Sequence, residues 1–279
     1  MLRSMYSGIS GMKNFQTKLD VIGNNISNVN TYGFKKGRTT FKDLVSQQIA
    51  GASAPGENRG GVNPKQVGLG SQIGTIDTIH TSGSIQPTGR PLDLAISGEG
   101  FFTVGTGAGG QVVNDPLYTR AGNFYLDADG NVVTAEGLFL IGETAGGGLG
   151  KLQIPNDAKS FSIGQDGTVN YLNAQGTLQT AGRVVLAKFP NNDGLEKVGG
   201  NLFSETANSG SVIDGGGFQL NEPGANGTGT LVSSALEMSN VDLSEEFTEM
   251  IVSQRGFQAN TRIITTSDEI LQELVNLKR

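Results

Sequence analysis

Cysteine and tryptophan are absent from this 279-residue chain, and histidine occurs once, as His80. Without a thiol the protein forms no disulfide, holds no zinc through sulfur and has no cysteine nucleophile. A single histidine also excludes a histidine metal cluster. No stretch approaches the roughly 18 apolar residues of a membrane-spanning helix, and the N-terminus lacks the apolar core of a signal peptide. We therefore expect any export to proceed without a cleaved signal.

Charge is scarce and unevenly distributed. Charged residues make up 16% of the chain, whereas glycine, with 43 residues, is about twice as frequent as usual, which favours turns and strands. Residues 1–42 carry seven basic groups against one acidic group, and residues 236–279 carry eight acidic groups against four basic ones. The two ends should attract each other. With +6 at one end, −4 at the other and −6 in total, the middle of the chain is left with −8, which argues against nucleic acid as the partner of the whole protein. Lys35, Lys36, Arg38 and Lys42 form a basic cluster. We expect this cluster to face the acidic C-terminal segment and not a nucleic acid.

The C-terminal segment, residues 236–279, has the apolar spacing of one long amphipathic helix. Asp242 provides a cap before an acidic first turn, and from residue 243 to residue 278 the helix would be about 54 Å long. Its apolar seam alternates spacings of three and four and is interrupted on one side by polar residues, namely Gln254, Thr261 and Asp268. Such a stripe needs a partner along its whole length. We predict an assembly interface at Leu243, Phe247, Met250, Phe257, Ile264, Leu271 and Val275.

Residues 1–29 show the same helical pattern and end in a cluster of asparagines. Gly8, Gly11 and Gly23 should each cost this helix about 1 kcal/mol relative to alanine, so it also needs a partner. We predict that the two terminal helices pair as a coiled coil. The alternative is that both pack on the central domain. The N-terminal part of the predicted interface is Leu2, Met5, Ile9, Met12, Leu19, Ile22 and Ile26.

The middle of the chain predicts strands. Hairpins are expected across residues 92–104, around a turn at 127–131 and around a turn at 165–167, followed by a buried strand at 184–189. The segment before this region is polar and glycine-rich, with one short helical patch at 39–49. The predicted fold class is α+β, mainly β. Its expected parts are a terminal helical domain at 1–30 and 240–279, a connector at 31–70 and a central β domain at 71–239.

Motifs for chemistry are incomplete. Residues 105–110 satisfy G-x-G-x-x-G, but no helix follows to receive a pyrophosphate. The run before Lys151 lacks the first glycine and the hydroxyl of a phosphate-binding loop, and the turn at 127–131 lacks the glycine and glutamate of a calcium loop. The residue counts alone do not exclude a Ser-His-Asp triad through His80 or a carboxylate pair for glycoside hydrolysis, but neither has a local sequence signature here. We predict that the protein is not an enzyme and has no catalytic residues, cofactor, metal or small-molecule substrate.

Six stretches of the chain resemble a known family. They are LRSMYSGISGM at 2–12, GNNISNVNTYGFK at 23–35, TGRPLDLAI at 88–96, YTRAGNF at 118–124, LEMSNVDL at 236–243 and MIVSQRGFQAN at 250–260. The terminal four resemble the signatures of bacterial flagellar rod and hook proteins, and the middle two resemble that family's central domain. The resemblance covers nearly the whole chain.

The resemblance implies a structural subunit of a tubular helical polymer. In such a tube the terminal helices line the inside and the β domain lies outside, and the helices of free subunits order only on assembly. The implied partners are copies of the same chain, other axial proteins (rod, hook cap and hook–filament junction) and the flagellar type III apparatus, which exports the unfolded subunit. The implied location is the extracellular flagellum at the cell surface.

The resemblance also implies an export-gate motif, in which a phenylalanine is followed four residues later by an apolar residue. Phe41 and Val45 match this pattern in form and in position. The alternative is that both residues simply pack one face of a helix in the connector. We hypothesise the export role.

Within the family, the resemblance favours a hook subunit that forms a flexible, torque-transmitting tube, because residues 60–70 and 1–12 are closer to hook proteins. Residues 143–235 leave little room for the outer domain that many hook proteins insert, so the prediction is a short hook. The glycines of residues 51–70 would then let subunits slide as the tube bends. The alternative is a distal rod protein, which forms a straight shaft. A secreted β-rich binding module is a remote alternative that leaves both terminal helices unexplained.

Overall fold

The computed structural model describes the chain over two compact units. The described residues are 2–55, 60–107, 116–210, 212–214, 217–218 and 220–277, without the side chains of residues 2, 213, 214, 217 and 218. The first unit, here the helical unit, comprises Met1–Ser27, Gly37–Thr78 and Asp242–Arg279. The second, the β unit, comprises Asn28–Lys36 and Ile79–Val241. Within the described residues, no helix is both long and apolar enough to span a membrane.

The helical unit contains two helices, α1 (Leu2–Ser27) and α2 (Leu243–Leu277). The predicted cap of α2 is confirmed, because the Asp242 carboxylate accepts a hydrogen bond from the Ser244 backbone N–H at 2.8 Å. Glu245 and Glu246 follow in the first turn, where the helix dipole favours negative charge. The predicted start at residue 236 is wrong, since residues 235–237 form a strand.

The rest of the helical unit is a β arm that consists of two successive two-stranded sheets. Its strands are β1 (Gly37–Asp43), β2 (Gln47–Ala50), β3 (Lys65–Val67) and β4 (Ser71–Thr78). β1 pairs antiparallel with β4, β2 pairs with β3, and a bridge joins Ser53 to Val62. The predicted helical patch at 39–49 is therefore wrong. The β-branched and aromatic run Thr39, Thr40 and Phe41 suits a strand, and its long-range ladder with β4 prevails over the local helical spacing.

The β unit holds the remaining strands. They are β5 (Ile85–Pro87), β6 (Leu94–Ser97), β7 (Phe101–Gly105), β8 (Leu117–Thr119), β9 (Tyr125–Leu126), β10 (Val132–Val133), β11 (Phe139–Thr144), β12 (Leu149–Lys151), β13 (Ser160–Ile163), β14 (Thr168–Leu172), β15 (Leu178–Val184), β16 (Leu186–Ala187), β17 (Glu196–Gly199), β18 (Leu202–Ser204), β19 (Ile213–Asp214), β20 (Gly217–Phe218), β21 (Leu220–Asn221), β22 (Thr230–Ser233) and β23 (Ala235–Glu237), with a short 3-10 helix at Asn192–Gly194. The main sheet runs β13-β14-β15-β11-β7-β8-β18-β17. Together with α1 and α2, this confirms the predicted α+β, mainly β class.

Two of the predicted hairpins are confirmed. β9 pairs with β10 across the turn at 127–131, and β13 pairs with β14 across the turn at 165–167. The hairpin predicted across residues 92–104 is wrong, because β6 pairs with β22 and β7 pairs with β8, β11 and β16. Strands that lie close in sequence thus find partners far along the chain.

The core of the β unit is apolar and contains stacked aromatic rings. Phe102, Val104, Phe124 and Leu140 are buried in its larger cluster, where the Phe102 and Phe124 rings meet edge to face at 5.2 Å. The segment predicted as a buried strand at 184–189 is indeed buried, although it divides between β15 and β16. This core is contained within the β unit itself.

Candidate functional site

The two terminal helices pair in the helical unit, as predicted, and the contacts of Gly11 with Asn260 and of Asn25 with Glu246 show that they run antiparallel. Three glycines stand where the helices approach most closely. A Cβ atom added at Gly11 would come within 2.9–3.0 Å of the Asn260 side chain, and one added at Gly256 would come within 2.6–2.9 Å of the Phe15 ring. At Gly8 the nearest atom would be the Ile264 side chain, at 3.3 Å. Glycine in α1 and α2 therefore gives up helix stability in exchange for close contact between the helices.

The seam of α2 that faces α1 is half polar. One heptad series is half-buried and apolar, namely Met250, Phe257, Ile264 and Leu271. The other is buried or half-buried and polar, namely Glu246, Ser253, Asn260 and Ser267. The residues predicted to interrupt the seam, Gln254, Thr261 and Asp268, lie one position further on, and Gln254 and Asp268 are exposed. Sequence reasoning missed the polar series because its residues are not apolar. The only sign that they face α1 is that each lies three or four residues from a member of the apolar series.

The predicted interface residues divide into two groups. On α1, Ile22 is buried, Met5, Met12, Leu19 and Ile26 are half-buried and Ile9 is exposed; the side chain of Leu2 lies outside the described part. On α2, the four members of the apolar series above are half-buried. The exposed members of the prediction are Leu243, Phe247 and Val275. Sequence reasoning missed further exposed apolar side chains at Tyr6, Ile251, Val252, Ile263, Ile270, Leu274 and Leu277.

Polar contacts fix the register of the helix pair. The buried Asn25 side chain donates to the Gly37 carbonyl at 2.9 Å and to the Glu246 carboxylate at 3.1 Å, and it accepts from the Gly37 N–H at 2.9 Å. One amide thus ties the end of α1 to the start of β1 and to the first turn of α2. Lys18 adds an ion pair to Glu249 at 2.5 Å. This pair realises the predicted attraction between the basic and acidic ends.

Phe41 and Val45 lie on the β arm. Phe41 is in β1, where its ring meets the Phe15 ring edge to face at 5.9 Å and 39% of the residue stays exposed. Val45 follows β1 and is 82% exposed. The alternative explanation, in which the two residues share one face of a helix, is wrong because the segment is a strand. Their role in export stays a prediction.

The β unit contains a buried ion triad, formed by Lys35, Arg120 and Glu237. The Glu237 carboxylate accepts from Lys35 Nζ at 2.6 Å, from Arg120 Nη1 at 3.2 Å and from the Gly83 N–H at 2.9 Å. All three charged side chains are at most 3% exposed. Burial lowers the pKa of Lys35 and of Arg120, and the charge of Glu237 opposes both changes. Glu237 is therefore the carboxylate that both cations contact, and the charge of Glu99 also raises the pKa of Arg120.

The triad gathers stretches that are distant in sequence. Lys35 is the last residue of the N-terminal signature, Glu237 lies in the C-terminal one and Arg120 lies in the middle of the chain. Arg120 Nη2 also donates to the Gly98 carbonyl at 2.7 Å. Gly33, at φ +69°, passes so close to Arg120 and Ala121 that a Cβ atom would approach their backbone to 2.6–2.7 Å. Sequence reasoning associated Lys35 with the acidic C-terminal segment but missed the carboxylate and the burial.

His80 lies beside this triad. Its ring is 5.7 Å from that of Phe101 and 5.6 Å from that of Phe203, and neither of its buried ring nitrogens has a hydrogen-bond partner among the described residues. Burial, followed by the positive charges of Lys35, Arg120 and Lys197, lowers the pKa of His80 to about 4. The only histidine is therefore a neutral, structural side chain at pH 7.

The turn considered as a calcium loop, residues 127–131, joins β9 to β10 as a hairpin turn. The turn at 127–131 is held by the Asp127 N–H, which donates to the Asn131 carbonyl at 2.9 Å. Residues 108–110 of the glycine-rich motif lie outside the described residues. Over the described ranges, no group of three or more His, Asp or Glu side chains could hold a metal ion.

Three family models match the chain. A model for the flagellar hook protein FlgE/F/G D1 domain matches residues 95–171. A model for the C-terminal region of flagellar basal body rod FlgEFG proteins matches residues 232–277, and a flagella basal body rod protein model matches residues 5–35. These matches include both terminal helices and the first half of the β unit.

Similar proteins match along their whole length. The flagellar basal-body rod protein FlgG of Bacillus subtilis (strain 168) is 60% identical over 279 residues, which cover all of both chains. FlgG of Caulobacter vibrioides is 37% identical over 99% of this chain and all of that protein. The flagellar hook protein FlgE of Borreliella burgdorferi is 31% identical over an alignment of 453 residues that covers both chains completely. The chain therefore belongs to the bacterial flagellar rod and hook family of structural axial proteins.

Proposed function

We propose that this chain is a rod subunit of the flagellar basal body, whose copies polymerise into a straight tube that transmits motor torque. The observation that carries the proposal is the apolar surface of the helical unit, where α1 and α2 expose large side chains away from their seam. Phe247, Ile251 and Leu277 are 49%, 58% and 83% exposed. Apolar stripes of this size mark interaction sites, and a head-to-tail contact whose rotation does not close generates an open helical polymer.

Three observations favour the rod, the alternative in the sequence interpretation, over the hook. The relative at 60% identity is a rod protein and has the same length, whereas the hook relative needs an alignment of 453 residues against 279 in this chain. The segment expected to slide in a bending hook, residues 51–70, carries β3, which pairs with β2 directly before the segment, and the bridge from Ser53 to Val62. A hydrogen-bonded ladder is stiffer than an unpaired linker, which suits a straight shaft. The hook stays the second candidate because hook proteins also match the full chain.

Electron microscopy of purified protein tests this function. The intact chain, driven to polymerise at high salt, should form straight tubes, and a version without residues 1–30 and 240–279 should form none. Curved tubes would favour the hook instead. If the intact chain forms no tubes and stays a monomer with protease-resistant ends, the polymerisation proposal fails.

The partners and location follow from this role. Copies of the chain form the shaft, and its two ends contact other axial proteins, such as neighbouring rod proteins and the hook. Hook cap and hook–filament junction proteins belong to the same axial series. The subunit reaches its place through the flagellar type III apparatus and ends up in the flagellum outside the cytoplasm.

Phe41 and Val45 form the export-gate motif in this proposal. Both side chains are exposed apolar groups. Val45→Ser should reduce secretion without disturbing the helical unit, because the side chain is 82% exposed. Phe41→Ala should reduce secretion too, but it also removes the contact with Phe15. Ile76→Ala is the control, since Ile76 is a 54% exposed apolar residue on β4 of the same arm.

Secretion is measured as the ratio of exported to intracellular subunit. Loss in the Val45 and Phe41 variants, with normal export of the Ile76 variant, supports the motif. Normal export of both motif variants, with soluble protein in the cell, would refute it.

A further inference from the structure

Within the described residues, the register of the helix pair places the end of α2 beyond the start of α1. Gly11 lies against Asn260, Phe15 against Gly256 and Asn25 against Glu246. In each pair the two residue numbers add up to 271, so the first residue of α1, residue 2, lies opposite residue 269. α2 continues to Leu277. Its last eight residues, 270–277, therefore extend about 12 Å beyond α1, and we name them the overhang.

The overhang is amphipathic. Its apolar side chains, which fall within about 160° of the helix circumference at 100° per residue, are Ile270, Leu271, Leu274, Val275 and Leu277. Its polar residues fall on the opposite side and are Gln272, Glu273 and Asn276. Leu274 is 48% exposed and Leu277 is 83% exposed. Leu271 and Leu274 continue the two heptad series of the seam, so the coiled-coil pattern of α2 continues past the point that lies opposite the first residue of α1.

A second exposed apolar stripe lies at the other end of the same helix. Leu243, Phe247 and Ile251 are spaced by four residues, lie on one face and are each at least 40% exposed; we name them the head stripe. Residues 247 and 274 are 27 positions apart, or about 40 Å along the helix. One rigid helix cannot bring its own head stripe to its own overhang.

We propose that the overhang of one copy docks on the head stripe of the next copy, so that α2 helices join head to tail along the polymer. The inference rests on the proposed function and names the contact that propagates it. A contact between two different patches of the same chain is heterologous and repeats without closing. The charges are complementary, since Lys278 and Arg279 directly follow the overhang in sequence, and Asp242 and Glu245 accompany the head stripe. Copies joined in this way are offset by about 40 Å along the helix direction.

The absence of cysteine makes a direct test possible. Phe247→Cys and Leu274→Cys are made in separate chains, mixed, polymerised and oxidised. A disulfide needs Cβ atoms within about 3.5–4.5 Å, so only a contact between two copies can join these positions. The matched control replaces Leu274→Cys with Asn276→Cys, which lies on the polar side of the same turn. Covalent dimers should appear with Leu274→Cys and be several-fold rarer with Asn276→Cys.

Introducing a charge gives an independent measurement. Leu274→Asp should raise the critical concentration for polymerisation about tenfold or more, the effect of exposing one leucine that the contact buries. Asn276→Asp introduces the same carboxylate on the opposite side and should leave the critical concentration within about twofold. Neither side chain lies in the part of the seam that α1 covers, so both variants keep the helix pair.

The outcomes separate the contact from the function. Polymers that give no dimer from the first mixture, or equal amounts from both, overturn the head-to-tail contact and leave the proposed function standing. Equal critical concentrations for Leu274→Asp and Asn276→Asp overturn it too. If the unsubstituted chain does not polymerise at all, the proposed function itself fails.

Discussion

Replacing Glu237 with glutamine should strongly destabilise the β unit. Its carboxylate is the only negative charge of the buried triad and accepts three hydrogen bonds, from Lys35, Arg120 and Gly83. An amide can still accept from two of these donors, but its NH₂ group would then face the Arg120 guanidinium. The variant therefore removes the only carboxylate that contacts both buried cations directly among the described residues, a change that typically costs about 3–5 kcal/mol.

The expected loss is large enough to measure by thermal unfolding. In a unit of 150–250 residues, 1 kcal/mol moves Tm by roughly 2–4 °C, so Glu237→Gln should lower Tm by roughly 6–20 °C. Near-UV circular dichroism follows the transition through the buried aromatic cluster that includes Tyr118. Glu196→Gln makes the same chemical change on an exposed strand and should shift Tm by no more than about 2 °C.

A second substitution tests the electrostatic explanation. Adding Lys35→Met to Glu237→Gln removes one of the two stranded cations, so the double variant should be less destabilised than the sum of the single variants. The coupling should be at least about 1 kcal/mol, because the two groups are in direct contact. A Glu237→Gln variant that melts within about 2 °C of the parent would refute the reasoning. Strict additivity of the two changes would show that the charges do not depend on each other.

Three further predictions concern other contacts. The folded-state pKa of His80 is about 4 against 6.5 when unfolded, so the unfolded state takes up a proton first, and stability should fall by up to about 3 kcal/mol between pH 6.5 and pH 4. His80→Phe should melt with less difference between pH 7 and pH 4.5; an equal difference would contradict this cause. Gly256→Ala should speed amide hydrogen exchange in α1, because the added methyl group would collide with the Phe15 ring. Gly23→Ala should slow this exchange, because its methyl group has no atom within 4 Å and alanine favours the helix over glycine. Asn25→Ala should cost about 1–3 kcal/mol and speed exchange at the start of β1; unchanged exchange would exclude the proposed register contact.

The helices could be predicted from sequence because their signals are local. Seven-residue spacing, the Asp242 cap and the acidic first turn all lie within α2 itself. The hairpins at 127–131 and 165–167 were equally accessible, since each is a turn between adjacent strands. The pairing of the terminal helices could be predicted because both carry an apolar stripe of the same period and the two chain ends have opposite net charge. The Lys18–Glu249 ion pair joins a basic residue of one end to an acidic residue of the other.

The errors have a common physical origin in contacts between distant residues. The spacing of Phe41 and Val45 is compatible with a helix, and only the pairing of β1 with β4 makes the segment a strand. The pairing of β6 with β22 joins Ile96 to Leu231, and no local pattern reports it. Burial of the triad escaped prediction for the same reason, because its three members come from different thirds of the chain.

The two units owe their order to different kinds of contact. The β unit buries rings such as Phe102 and Phe124 in its own core, so one copy supplies the burial that stabilises it. The helical unit instead buries Glu246, Ser253 and Ser267 in its seam, and these residues contribute little hydrophobic free energy. Large apolar side chains such as Phe247, Ile251 and Leu277 remain exposed, and in the proposed polymer another copy covers them. Under the proposed function, the helix pair should therefore gain most of its stability on assembly.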